Sequence, residues 1–258
     1  MESTTLRGRT ALVTGGSRGM GRAIATKLAR QGATVAFSYR KDGDAAREVV
    51  AEIEAFGGRA VPIAGDLRAP GTAGDLARRA VAEVGPISIL VSNAGMASRG
   101  NGVTDSSREE YQDMLQMHAF AVVEMAGVVL PAMRKARSGN IVVVTSNVTI
   151  SLPPNTAPYA VAKASAEAIV RVLAMEERAN GIRVNALAPG LVATDMGERL
   201  VRASVDSTLE SLDGTYPFGR VCRPEDIADA VAFLAAPDSY VTGQRLVVDG
   251  GGPAAQLY

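Results

Sequence analysis

Tyr159 and Lys163 stand four residues apart, and on a helix that spacing puts a phenol and an ammonium on one face. A phenol with an ordinary pKa near 10 is a poor acid or base at neutral pH. Lowering it by about three units takes roughly 4 kcal/mol of differential stabilisation of the phenolate, and a neighbouring ammonium acts in that direction. Upstream, the apolar run NIVVVTS ends in two hydroxyls, Thr145 and Ser146. Either could hydrogen-bond an oxygen on which charge develops, but adjacent strand residues point to opposite faces, so only one can look into a cleft. The chemistry these residues suit is proton exchange with an alkoxide.

A second constellation lies near the start. TGGSRGMG, residues 14 to 21, follows the apolar run Ala11-Leu12-Val13. Gly15, Gly19 and Gly21 are spaced G-x-x-x-G-x-G, which is not the literal G-x-G-x-x-G dinucleotide fingerprint, and the turn alone reads equally as a tight loop. The physical uses of such glycines still apply. They permit unusual backbone angles, let the main chain approach a pyrophosphate and let the next helix pack on its strand. A helix beginning near Arg18 would aim its dipole and unpaired N–H groups at phosphates.

The elements that must position these groups follow from hydrophobic patterning. Seven runs, TALVT, TVAFSY, RAVPIAG, ISILVS, NIVVVTS, IRVNALA and RLVVDG, are nearly continuous in apolar residues. That is the pattern of strands covered on both faces. Ala-rich, charge-bearing segments between them read as helices, for example Asp44 to Phe56, with Ala45, Val49, Ile53 and Phe56 on one face, ended by Gly57-Gly58. The expected fold is α/β: a Rossmann-like, doubly wound sheet of about seven parallel strands with helices on both faces. Without a linker or repeat, residues 1–258 read as one domain. The irregular stretch from Ala193 to Arg223, with a short helix around Gly197 to Leu212, is of a kind that often serves as a lid or binding loop.

Composition narrows the function classes. Charge is balanced, with 27 basic and 27 acidic residues, so nothing points to nucleic acid or a membrane surface. Cys222 is the only cysteine and His118 the only histidine, which argues against disulfides and a metal site. The apolar stretch Ala119 to Met133 is interrupted by Glu124 and is too short for a hydrocarbon core of about 30 Å. The N-terminus has no apolar signal core. The expectation is a soluble cytoplasmic protein with a small-molecule ligand.

Three motifs together, Thr14 to Gly21, Asn93-Ala94-Gly95 and Tyr159 to Lys163, resemble the short-chain dehydrogenase/reductase family in order and spacing. Pro189-Gly190 with Thr194, Pro224 to Ala228, and Asp249-Gly250-Gly251 complete a pattern covering essentially the whole chain. The overall look is that of the 3-oxoacyl-(acyl carrier protein) reductase-like branch. The resemblance implies NADPH-dependent reduction of a ketone or 3-oxoacyl-type carbonyl to an alcohol. In it Tyr159 is the proton donor, Lys163 lowers the tyrosine pKa and holds the nicotinamide ribose, and Ser146, 13 residues before the tyrosine, supplies the third hydroxyl.

The same resemblance places His118 where many members carry an asparagine of a proton relay. Three readings stand: a helix residue without catalytic consequence, an imidazole replacing the amide and adding a titration near neutral pH, or a broken relay. The last would make the chain a non-catalytic nucleotide-binding regulator or scaffold. For the cofactor, the resemblance implies contacts from Gly15, Ser17, Arg18, Gly19, Met20 and Gly21. Asp66 and Leu67 would flank the adenine, Asn93, Ala94 and Gly95 line the cleft, and Pro189, Gly190, Val192 and Thr194 meet the nicotinamide side. NAD preference usually needs a carboxylate at the end of the second strand. That position is Tyr39, followed by Arg40 and Lys41, so with Arg18 the reading is NADP(H). Ligand-side residues Asn147, Pro153, Pro154, Asn155 and Leu191 suggest a neutral or modestly polar ketone. Ala160, Ala162, Ala164, Ala166 and Ala168 permit either packing within the chain or the subunit contact of a homotetramer implied by the resemblance.

Overall fold

The computed structural model describes residues 5–205, 208–216 and 218–252. The elements in chain order are β1 Thr10–Val13, α1 Gly19–Arg30, β2 Thr34–Tyr39, α2 Gly43–Ala55, β3 Arg59–Ala64, α3 Thr72–Val84, β4 Ile89–Ser92, α4 Arg108–Leu115, a π turn Gln116–Phe120, α5 Ala121–Ala136, β5 Gly139–Val144, α6 Val148–Ser151, α7 Ala157–Glu177, β6 Ile182–Pro189, α8 Asp195–Val205, α9 Leu209–Leu212, α10 Pro224–Ala235 and β7 Arg245–Val248. All seven expected runs form strands, joined in one sheet of order β3-β2-β1-β4-β5-β6-β7. Every pairing is parallel.

Two cores lie against the sheet. Alternate strand residues feed them, as the two-residue repeat of a strand requires. Leu12, Leu90, Ile141 and Val143 pack with α3, α5 and α7, whereas Ala11, Val13, Ile89, Val91, Val142 and Val144 pack with α1, α2 and α10. The continuous apolar runs are thereby explained, because both faces of the strands are covered.

Helix α2 turns the expected face to the core: Val49 and Ile53 are buried and Phe56 packs against the same cluster, with Ala46 buried beside them and Ala45 half-buried. Its end is as expected. Gly57 N–H donates to the Glu54 carbonyl and Gly58 N–H to the Ile53 carbonyl, the paired bonds of a Schellman stop.

The apolar stretch around Glu124 belongs to a longer element than the sequence suggests. From Arg108 to Ala136 the chain is helical for 29 residues, enough by length and composition to cross a membrane, but 61% of its most apolar part is buried in the fold. Met114, Val122, Met125, Val129 and Met133 supply that burial. Glu124 is used, not merely tolerated. Its carboxylate accepts from Gly71 and Gly74 N–H at the start of α3 and from the Gln116 amide, which stabilises an otherwise unpaired helix terminus.

After β6 the chain leaves the sheet. The stretch expected to hold one helix holds two, α8 and α9, with Asp206, Ser207 and Pro217 outside the described residues. The excursion is closed at its base by a bridge between Val192 and Cys222, with Ala193 N–H donating to the Cys222 carbonyl at 2.8 Å.

If the Arg108–Ala136 helix is a core helix of a water-exposed fold, Met125→Ala should cost about 2–5 kcal/mol. Urea unfolding should then show a lower midpoint with an unchanged slope.

Candidate active site

Because all seven strands run the same way, their carboxyl ends share one edge of the sheet, and the strand order reverses between β1 and β4. Open α/β sheets bind ligands in the crevice at such a switch point. The glycine turn leaves β1 here. Gly15 N–H donates to Ser38 Oγ at 3.1 Å and Gly16 N–H to the Ser38 carbonyl at 2.8 Å, fixing the turn to β2. Gly19 holds φ +51, and a Cβ on Gly21 would lie 2.0 Å from the Gly15 carbonyl oxygen. No larger residue fits where α1 meets the turn. The N-cap of α1, Arg18, provides no side-chain cap, and the first turn carries no acidic residue. Its amides therefore face outward as an anion-binding terminus.

The rest of the turn's surroundings are tied to it. Asn93 N–H and Ala94 N–H both donate to Thr14 Oγ1 at 2.9 Å, and the Asn93 amide donates to the Thr14 carbonyl at 2.9 Å. Asn93 thus joins β4 to β1. Thr14 and Gly16 lie within the motif without an assigned contact, and Ser38 is a part of this turn outside it. The apolar-to-hydroxyl change at Ser38 inside TVAFSY was the available signal. From the other side, Thr194 Cγ2 lies 3.2 Å from where a Gly19 Cβ would be, so the loop after β6 closes over the turn. Thr194 Oγ1 also accepts from Gly197 N–H at 3.1 Å.

Along the nucleotide side, Arg18 and Arg40 are exposed and Tyr39 half-buried, with no carboxylate at the end of β2. Asp66 is held by Arg68, whose Nε donates to it at 2.9 Å and 3.1 Å, and this pairing holds the carboxyl at about 2. Leu67 is buried in the core, so the part of it available to a ligand is its backbone. Val192 is likewise buried, whereas Ser17 and Met20 lie within the turn.

The hydroxyls and the ammonium meet on the opposite side of the switch point. Thr145 is buried and its hydroxyl donates to the Leu187 carbonyl, which leaves Ser146, half-buried just past β5, to face the cleft. Ser146 lies near enough to Tyr159 for its hydroxyl to favour the phenolate. Lys163, only 4% exposed, donates from Nζ to the Val144 carbonyl at 2.8 Å, fastening α7 to the end of β5. The Nζ atom lies 5.5 Å from the centre of the Tyr159 ring.

The electrostatics depart from the expectation that Lys163 holds the Tyr159 pKa down. Burial dominates instead: it raises the Tyr159 phenol above its ordinary value, and Ser146 opposes this only partly. The same burial lowers Lys163 to about 7, against the field of Glu167. Both groups shed charge because low dielectric penalises the ionised form.

His118 sits on the π turn that interrupts the long helix, a distortion that often marks functional positions. Its Nε2 lies 3.0 Å from the Met96 carbonyl oxygen and 3.5 Å from the Met96 nitrogen, while Nδ1 is buried without a partner among the described residues. Burial and Lys163 push its pKa well below the ordinary value. That direction disfavours the imidazolium and weighs against the reading in which His118 adds a titration near neutral pH. The ring stands edge-on to Tyr159, centroids 5.3 Å apart. A Cβ on Gly95 would come within 2.9 Å of His118 Cε1, so in this chain the glycine makes room for the imidazole.

Beside these groups, Leu152 and Asn155 adopt left-handed backbone between α6 and α7, where Pro153, Pro154 and Asn155 are exposed. A cleft of about 580 Å³ opens along α8, lined by Thr194, Glu198, Arg199, Arg202 and Leu209. Cys222 is buried, and burial pushes its thiol up to about 12, so it offers no nucleophile. Among the described residues no group of three His, Cys, Asp or Glu could hold a metal.

The chain has many relatives among known proteins and solved structures. The profile of the family described as enoyl-(acyl carrier protein) reductase matches residues 15–252. The chain is 35% identical over 244 residues to 3-oxoacyl-[acyl-carrier-protein] reductase FabG of Staphylococcus epidermidis, covering 94% of this chain and 98% of that one. It is 34% identical over 252 residues to 7alpha-hydroxysteroid dehydrogenase of Escherichia coli K12, covering 97% and 96%. Among solved structures, a 3-oxoacyl (acyl-carrier-protein) reductase from Agrobacterium tumefaciens with NADP bound superposes with a TM-score of 0.88 at 34% identity, covering 96% of each chain.

Burial of Lys163 makes a prediction about stability. With a native pKa of about 7 against 10.5, the cost of burying the ammonium is fully present below pH 7 and is relieved as pH rises from 7 to 10.5. The Tm of Lys163→Met minus that of the unaltered protein should be largest at pH 6 and shrink by pH 9. A difference independent of pH would contradict the buried-ammonium description.

Proposed function

Because the chain belongs to the short-chain dehydrogenase/reductase family, we propose that it is an NADPH-dependent reductase of a ketone or 3-oxoacyl-type carbonyl, giving a secondary alcohol. The observation that carries this reading is the meeting of Ser146, Tyr159 and Lys163 beside a nucleotide crevice. The crevice suits NADP(H). The amides of the first turn of α1 can take the pyrophosphate, and Arg18 and Arg40 can take a 2'-phosphate in bidentate fashion. When bound, NADPH supplies the hydride for the carbonyl carbon.

The residues of the chain manage the oxygen and its proton. Ser146 donates a hydrogen bond to the carbonyl oxygen as charge grows on it. Tyr159, kept protonated by its burial, transfers its proton to that oxygen. Lys163, at about 7, lies near the pH of operation, where a group exchanges protons most effectively. The free Nδ1 of His118 accepts a hydrogen bond from water on the way to Lys163, the part an asparagine plays in many relatives. The non-catalytic alternative rested on His118 alone, and no specific observation favours it.

On this reading the chain is one domain, with residues 193–223 as its substrate loop, and its substrate is a neutral or modestly polar ketone. It works in the cytoplasm, without nucleic acid or membrane, as a homotetramer. Ala160, Ala162 and Ala166 are buried within the chain, which supports the packing role for those three. Ala164 and Ala168 are exposed, on the helix that also exposes Val161, Val172 and Met175, while α5 and the π turn expose Val123 and Phe120. Apolar exposure of this extent is usual for a face that another copy covers.

Two results are expected. NADPH oxidation at 340 nm over a panel of ketones should exceed NADH oxidation, and Tyr159→Phe should lower kcat by about 10²–10⁴ with NADPH binding retained. Sedimentation should give a tetramer, and Val172→Glu should reduce its mass towards dimer or monomer.

A further inference from the structure

Glu167 lies one turn beyond Lys163 on α7, and Arg245 opens β7. Their side chains are only 11% and 13% exposed, with Arg245 Nε 2.9 Å from Glu167 Oε1. Burying two charges costs several kcal/mol per ion, and apolar residues often serve stability as well. The pair therefore calls for a role beyond packing, and its other bonds indicate one. Arg245 Nη2 donates to the Ser146 carbonyl at 3.1 Å and to Thr149 Oγ1 at 3.1 Å. Thr149 Oγ1 lies 3.1 Å from the Ser146 carbonyl and 2.9 Å from Glu167 Oε1, and gives its one proton to either.

The catalytic groups come from separate segments: Ser146 follows β5, while Tyr159 and Lys163 ride on α7. Lys163 joins them once, at the Val144 carbonyl. The Glu167, Arg245 and Thr149 bonds join them again, at Ser146 itself. We propose that Arg245 and Glu167 are a positioning pair that sets Ser146 in register with Tyr159 and Lys163; the inference rests on the reductase reading above.

The pair also bears on charge at the site. Lys163 is faced by Glu167 and Tyr159 from α7 and by His118 from the π turn, with Arg245 behind Glu167. Arg245 offsets a carboxylate whose field favours the Lys163 ammonium. Removing Arg245 should therefore move the pH limb of turnover upward.

The test compares kcat, KM, pH profile and Tm of the full chain with those of Arg245→Met, Arg245→Lys, Arg245→Met/Glu167→Gln and, as reference, Tyr159→Phe. Arg245→Met should lower kcat about tenfold or more by misplacing Ser146, leave KM for NADPH within about twofold, and shift the pH limb upward. The double variant should restore the limb but not kcat. Arg245→Lys, which keeps the charge and serves if Arg245→Met does not fold, should hold the limb in place and recover part of kcat. Folded Arg245 variants with unaltered kcat and pH limb would overturn the proposal, as would losses that follow Tm and NADPH binding alone. Turnover surviving in Tyr159→Phe would instead overturn the reductase reading on which it rests.

Discussion

The hydrogen bond from Lys163 Nζ to the Val144 carbonyl, 2.8 Å long inside a nearly closed site, is the interaction on which the other functional contacts depend. It fastens α7 to the end of β5 and so sets the distance between the tyrosine on one and the serine that follows the other. It also fixes the electrostatics. An amine with only a carbonyl and a distant carboxylate to hold its charge sheds the proton readily, and its pKa falls to about 7. The parallel sheet makes this contact reachable, since it delivers the ends of β1, β4, β5 and β6 to one edge, where nucleotide and substrate can meet.

The site is assembled at some cost to the fold. A buried lysine, a tyrosine whose ionisation is opposed by burial, a histidine with an unpartnered nitrogen and a π turn in a long helix are each unfavourable for stability alone. They are gathered within a few side-chain lengths of one another. Elsewhere the rules of stability are followed. Apolar residues fill both faces of the sheet, Glu124 caps α3, and α2 ends in a Schellman stop. Local departure from those rules is what sets the catalytic edge apart.

Much of this was legible in the sequence where the signal is local. A strand covered on both faces must be apolar throughout, so all seven runs announced themselves. Glycines that lie against a neighbouring backbone, such as Gly21, cannot be replaced and mark the turn. Ser146 was separable from Thr145 by family spacing, and the structure shows the physical counterpart: the Thr145 hydroxyl is spent on Leu187. Non-local terms were not legible. The pKa directions of Tyr159 and His118 depend on how much water the fold excludes, which no spacing encodes. Glu167 and Arg245 are 78 residues apart, and only the β6–β7 pairing brings them together.

The central claim is that this edge of the sheet transfers hydride to a carbonyl carbon and a proton to its oxygen. The most direct measurement incubates the protein with NADPH deuterated at the transferring position and a set of 3-oxoacyl thioesters, simple ketones and steroid ketones, and locates the label in the products by NMR. The account predicts a secondary alcohol bearing deuterium on the carbinol carbon, formed one for one with cofactor consumed. Cofactor binding with no labelled alcohol from any member of the set, or an alcohol without the label, would contradict it.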